Sequence, residues 1–305
     1  MLLSLKKHLS TNSDRGLAAV LLLPAAIVVF GLVTWPILRT VWLSFHQMLS
    51  PMPGAATPFV GFKNFQNAMT DSSLLDSFRR TIYFTVLSTA LEMSLGLILG
   101  LLMSQKIRGR WLLRAAVLLP WALPTVVNAT MWRYIFNADY GPLNALLTQL
   151  GIIQSYRPWL GTPNVALHMV IFSDVWKNSS IIAFFVMAGL TTIPGDILEA
   201  AKVDGANAFR TFFSIMLPLL KPVLIVAMVL RTIEAFKVFD IVYIMTRGGP
   251  AGGTTSIALY SYQTAFSNQN FGYGSSLALL IVVVTFSLAL FYMRLVNVGL
   301  DKGGR

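Results

Sequence analysis

Three pairs of opposite charges stand where charge is expensive. Asp174 and Lys177 in FSDVWKNSS, Arg231 and Glu234, and Lys237 and Asp240 in LRTIEAFKVFD each lie three residues apart within apolar runs. On a helix that spacing puts both side chains on one face. A lone charge at the centre of a bilayer costs about 2.5–3.5 kcal/mol on insertion scales, so such residues face a cavity or a partner. Two uses are open. Either the pairs merely neutralise one another, or they form a polar site between helices. In such a site carboxylates accept hydrogen bonds from hydroxyl groups, while Arg and Lys also pair with an anionic group. Asp174 and Lys177 acting as acid and base of a membrane enzyme is a third idea, but no nucleophile or metal constellation accompanies it.

The chain offers little other chemistry. It has no cysteine, and His8, His46 and His168 are not spaced as paired ligands, so neither a catalytic residue nor a metal site is expected. No G-x-x-x-x-G-K-[ST] phosphate loop occurs, so the chain is expected to bind no ATP and no cofactor of its own.

The elements that must position these charges are membrane helices. The chain is 55% hydrophobic and only 11% charged over 305 residues, which is outside the range of soluble domains. The net charge of +11 does not imply nucleic acid, because Lys and Arg punctuate apolar runs rather than forming a stripe. Six spans are predicted: Leu17–Leu38, Thr81–Met103, Ala115–Phe136, 165–190, 222–245 and Ser275–Met293. All are expected to be α-helices, because backbone polar groups in lipid must be satisfied within the segment. Residues 1–16 and 298–305 then flank a six-helix transmembrane domain over 17–297.

With the N-terminus inside, cytoplasmic pieces carry Lys6, Lys7, Arg15, Lys106, Arg108, Arg110, Arg114, Lys202, Arg210, Lys221, Arg294, Lys302 and Arg305. The outer loops carry only Lys63, Arg79, Arg80, Arg133, Arg157 and Arg247, so both termini are expected in the cytoplasm. Glu92 is expected either to snorkel or to bond within the bundle, and is given no chemistry in this reading. Gly96-x-x-x-Gly100 is a close-packing face, and Pro120 and Pro124 are expected to kink the third span.

The orientation leaves EAAKVDGANAFRTFFSIMLPLLKP, 199–222, in the cytoplasm within a loop over 194–222. Asp196 is expected to cap a short helix, with Glu199 completing an acidic capping box. Gly205 supplies a left-handed position that ends it. Asn207 caps a second helix whose Phe209, Phe212, Phe213 and Met216 share a face able to pack on the membrane helices, until Pro218 and Pro222 stop it. Glu199, Ala200 and Ala201 then project, either as a docking element for another protein or as an elbow lying on lipid headgroups.

This stretch resembles the cytoplasmic EAA motif of binding-protein-dependent ABC transporter permeases: Glu199-Ala200-Ala201, Asp204-Gly205-Ala206, then Ile215 and Leu217-Pro218. GFKNF, GPLNALL, VWK and TRGGP extend the resemblance over nearly the whole chain, to the upstream permease of the maltose-type carbohydrate-uptake branch. The resemblance implies a coupling helix seated on an ATP-binding subunit, with ATP and Mg held there. It also implies a heterodimer with a related second permease, two copies of the ATPase and an extracytoplasmic solute-binding protein in the cell inner membrane.

By the same resemblance the substrate pathway falls at Asp174, Lys177, Asn178, Ile181, Arg231, Glu234, Ala235 and Val238. This sequence departs there from its relatives, because formal charges replace amides, small residues and aromatics. The expected solute is a sugar or sugar derivative, with an acidic or anionic derivative left open. Glycerol 3-phosphate or another phosphorylated polyol is the nearest rival, and an ion-coupled carrier using Asp174 and Glu234 is the alternative mechanism.

Overall fold

The computed structural model describes residues 16–18, 20–49, 56–105 and 107–301, with the backbone alone for 295–301. Most of the expected cytoplasmic ends, with Lys6, Lys7, Arg15, Lys302 and Arg305, lies outside the described residues, as does Lys106. The described chain is all-α, with a single bridge between His46 and Phe59 as its only β contact. Among the described residues five helices are long and apolar enough to cross a membrane, or six if one sharply bent pair counts as a span. It divides into two units, 1–70 with 263–280 and 71–262 with 281–305.

In the first unit α1, Gly16–Ser44, runs through a wide π turn at Val29–Thr34. α2, Lys63–Thr70, follows a turn in which Gly61 takes φ +57°. The GFKNF sequence has a local job here. Asn64 Nδ2 donates to the carbonyls of Ser44 and His46 at 2.8 and 3.1 Å, satisfying acceptors that the end of α1 leaves open. Phe62 and Phe65 pack their rings around Phe45.

The second unit is built on α3, Ser72–Ser104, and α7, Pro163–Thr191. Asp71 starts α3 by accepting from the Ser73 and Leu74 amides. Along α3, Ser77, Thr81, Thr85, Ser88, Glu92, Gly96 and Gly100 recur every three or four residues, and all are buried. Val86, Leu91, Ile98 and Leu102 are exposed on its other sides. Small and polar residues therefore face the bundle, the arrangement expected where lipid already satisfies the apolar side chains. A Cβ on Gly96 would sit 2.9 Å from the Ser179 carbonyl, and one on Gly100 would sit 2.8 Å from that of Ala183. The two glycines let α3 and α7 touch backbone to backbone.

The third expected span is a broken one. α4, Arg110–Ala122, and α5, Thr125–Ile135, meet at 97°. Pro124 lacks an amide to continue the helix, and its ring pushes Leu123 out to an extended ψ of 133°. The sequence foresaw a kink, but Leu123 and Pro124 both leave the helical region, which turns a kink into a corner. Pro120, by contrast, stays inside α4.

α6 is Pro142–Gln149, α8 is Gly195–Val203, and α9 is Ala208–Phe236. α10, Asp240–Met245, α11, Ile257–Tyr262, and α12, Phe271–Asp301, complete the order. Two expectations about α9 are corrected. It does not stop at Pro218 and Pro222: a π turn at Phe212–Met216 leads into a helix that has Pro218 in its first turn and Pro222 inside. A loosened turn before Pro218 leaves room for its ring and has no need of its missing amide. Nor does the fifth span reach 245, because Lys237, Val238 and Phe239 interrupt it.

Candidate functional site

The 194–222 segment folds as helix, left-handed turn, helix. α8 begins after Pro194, whose ψ of 135° sets the entry, and no side chain caps it. The expected capping box of Asp196 and Glu199 does not form. Asp196 instead lies in the first turn, where its charge favours the helix dipole, as Lys202 does in the last. Gly205 takes φ +74°. Its amide donates to Lys202 O at 3.1 Å and that of Ala206 to Ala201 O at 2.9 Å, a paired closure that satisfies two open carbonyls. Asn207 Oδ1 accepts from the Arg210 amide at 2.8 Å and starts α9.

Glu199, Ala200, Asp204 and Gly205 are exposed, Ala201 is buried and Ala206 half-buried. Val203 is 88% exposed at the tip. The aromatic face is only partly packed away: Phe212 and Met216 are half-buried, while Phe209 and Phe213, with tilted rings 4.4 Å apart, are exposed. The π turn changes the angular step between Phe209 and Met216 and spreads the four side chains off one face.

The intramembrane charges converge on Arg231. Its Nε donates to Glu92 Oε2 at 2.7 Å, and its Nη2 donates to Glu92 Oε1 at 2.9 Å and to Asp174 Oδ2 at 3.3 Å. Its Nη1 donates to Glu234 Oε2 at 2.8 Å. One guanidinium thus joins α3, α7 and α9. Asp174 Oδ1 accepts from Asn178 Nδ2 at 2.8 Å. Arg231, Glu92 and Asp174 are buried, whereas the Glu234 side chain is 61% exposed.

Of the three pairs read from spacing, only Arg231 with Glu234 forms as expected. Lys177 turns from Asp174 to donate to Thr125 Oγ1 at 2.8 Å, on the first residue of α5. Asp174 is instead taken up by Arg231 and Asn178. Lys237 and Asp240 make no ion pair among the described residues, because Lys237 ends α9 and Asp240 opens α10. Ala235 is buried in the apolar core, and Val238 packs against that core half-buried. Asn128 Nδ2 donates to Ser173 O at 3.4 Å, while its buried Oδ1 has no donor among the described residues.

Residues 93–298 match the family described as "Binding-protein-dependent transport system inner membrane component". The chain belongs to that family. It is 40% identical to the trehalose/maltose transport system permease protein MalF of Thermococcus litoralis, over 91% of this chain and 92% of that protein. It is 38% identical to the sulfoquinovosyl glycerol transport system permease protein SmoG of Agrobacterium fabrum, over 93% of this chain and 91% of the relative. The fold matches a bacterial ABC transporter involved in import of the acidic polysaccharide alginate, with TM-score 0.82 at 20% identity, covering 95% of this chain and 98% of that one.

In this permease Glu92 takes the bond within the bundle, one of its two expected fates, and what sequence reasoning missed is its partner, Arg231. A signal for it was present. Pairing each cation within its own helix leaves Glu92 as the one formal charge inside its span, and an acid in lipid must take a partner from another helix. The buried polar stripe from Ser77 to Gly100 points the same way, since Glu92 falls on it.

Proposed function

We propose that this permease is the membrane-spanning subunit of an ATP-driven importer, carrying a sugar or sugar derivative handed over by an extracytoplasmic binding protein. The membership of the family and the names of the two sequence relatives support the transported class. The observation that carries the mechanism is α8, a short rod ended by Gly205 and exposed on Glu199, Ala200 and Val203.

In this reading Glu199, Ala200, Ala201, Asp204, Gly205 and Ala206 couple the chain to an ATP-binding subunit, which holds ATP and Mg. Two such subunits present two clefts and this chain offers one rod, so a second permease chain completes the complex, and the family resemblance implies a related, non-identical one. Both termini and the 194–222 loop lie in the cytoplasm, and 17–297 forms the permease domain. Closure of the ATPase pair moves the rods, and the helices turn the cavity outward to receive solute; hydrolysis resets it. Asp174, Lys177, Asn178, Arg231, Glu234, Ala235 and Val238 line or support the solute path.

The test is reconstitution of the whole complex in proteoliposomes. Solute-loaded binding protein should stimulate ATP hydrolysis and drive sugar inward. Uptake that follows a proton or sodium gradient, with no ATP required, would refute the proposal in favour of an ion-coupled carrier.

A further inference from the structure

We infer that this permease holds an anionic phospholipid at a fixed place, with one acyl chain in an apolar groove along α9 and its phosphate on Lys221. The groove has a volume of about 480 Å³ and is lined on α9 by Phe213, Leu217, Lys221, Leu224 and Met228, with Met93 contributed by α3. Volumes of ~300–1,000 Å³ are those of small-molecule sites. Lys221 is the one charged residue in the lining.

The depth of the groove follows from the way three helices are keyed together. A Cβ on Gly96 of α3 would meet Ile182 of α7 and one on Gly100 would meet Val186, so these two helices run parallel. A Cβ on Gly189 of α7 would meet Leu220 and Val223 of α9. Lys221 therefore stands level with the last turn of α3, which ends at Ser104. Exposed Arg108 and Arg110 follow directly and mark the edge of the apolar layer. At the other end Glu92 bonds Arg231, which brings Met93 level with Met228. From Ser104 back to Met93 is a rise of ~16 Å at ~1.5 Å per residue. Half of a hydrocarbon core of ~30 Å is about the same, so the groove is one leaflet deep.

The charge at its mouth lacks a counter-ion. Lys221 is exposed and makes no ion pair among the described residues. Its neighbours one turn away on α9, Leu217, Pro218, Leu224 and Ile225, are all apolar. Helical side chains lean toward the helix N-terminus, so the Lys221 stem lies along the groove and its ammonium reaches out of the apolar layer on the side of α8. On the orientation proposed above that is the cytoplasmic leaflet, whose anionic headgroups attract Lys and Arg.

An open cation at the surface and an apolar channel one leaflet deep beneath it are the two halves of an amphiphile's site. A phospholipid carries its phosphate and its acyl chain in that order and at that spacing. A protein helix laid in the same groove would have to supply a carboxylate at the one level where Lys221 stands. The site depends on the membrane placement of α3 and α9 and not on what the permease carries.

The experiment places the complete complex in nanodiscs of phosphatidylcholine with a trace of photoreactive phospholipid. The probe carries a diazirine midway along one acyl chain and either a phosphatidylglycerol or a phosphatidylcholine headgroup, and labelled residues are read by peptide mass spectrometry. Phosphatidylglycerol should label Met93 and 224–228 about fivefold more than phosphatidylcholine, the factor expected of one Lys at an anionic headgroup. Lys221→Gln should bring the two probes level and Lys221→Arg should keep the preference. Ile225→Trp, which fills the groove, should reduce labelling by both, with assembly of each variant checked by size exclusion.

Equal labelling by the two probes in the unaltered complex overturns the inference, as does a preference that survives Lys221→Gln, one that disappears in Lys221→Arg, or labelling indifferent to Ile225→Trp. Cross-linking from a photoreactive residue placed at 225 to the second permease chain, with no lipid label in the groove, overturns it in favour of a protein interface. Each of these outcomes leaves the importer reading standing.

Discussion

Arg231 and Glu92, 139 residues apart in sequence, meet as a two-pronged ion pair at 2.7 and 2.9 Å with almost no solvent access. The pair ties α9 to α3, while Asp174 adds α7 to the same guanidinium. Three helices are therefore joined at one residue. Buried pairs of this kind are weak evidence of net stabilisation, but breaking one leaves an uncompensated charge.

Glu92→Ala should accordingly lower the stability of the purified complex by about 3–5 kcal/mol. Glu92→Gln, which keeps one acceptor for Arg231, should cost less. Thermal unfolding in detergent compares the three proteins. An unchanged melting temperature for Glu92→Ala would show that the pair holds nothing.

The α3 to α7 contact makes a second, steric prediction. Gly96→Leu must place its Cβ against the Ser179 carbonyl and Ile182, and neither backbone can retreat without parting the helices. The expected cost is about 1–3 kcal/mol or more. Gly195→Ala, where an added Cβ meets nothing within 4 Å, serves as the control. Loss of folded protein in both variants would point to a general intolerance instead of this contact.

How much of this was legible in sequence depended on the range of each interaction. Gly205 and Asn207 act on residues within four positions, so spacing alone placed the left-handed turn and the cap. Hydropathy found the spans because lipid imposes length and composition on each separately. The partners of Arg231 were hidden because two of its three carboxylates come from other helices. Spacing gave Lys177 to Asp174, yet the corner at Pro124 brings Thr125 to Lys177 instead. No local pattern announces a 97° break, only a proline whose consequence depends on what its neighbours then touch.

Asn144, in the GPLNALL stretch, offers a third prediction. Wholly buried, it donates to the carbonyls of Asn137, Ala138 and Arg157 and accepts from the Arg157 amide and Trp159 Nε1. One amide side chain therefore pins the loop after α6 to the end of α5. Asn144→Ala strands those groups, at about 1–3 kcal/mol for each one left buried and unsatisfied. Proteolysis of 150–162 should accelerate, and ATP hydrolysis stimulated by binding protein should fall. A loop that stays resistant would mean that the apolar contacts of α6 hold it unaided.

The last prediction concerns the turn at Gly205. Its φ of +74° lies where proline cannot go and where asparagine goes with little penalty, while no atom lies within 4 Å of an added Cβ. Space is therefore not the constraint, and the two substitutions separate conformation from bulk. Gly205→Pro also removes the amide that closes α8 on Lys202 O, so the rod should lose both its end and its angle to α9. The chain should still insert, because 195–205 lies outside the spans. What should fail is retention of the ATPase subunit, or the stimulation of hydrolysis by loaded binding protein, whereas Gly205→Asn should preserve most of both. If the proline variant hydrolyses ATP and transports as the unaltered complex does, α8 is not the joint through which the motor acts, and coupling must be sought elsewhere on the chain.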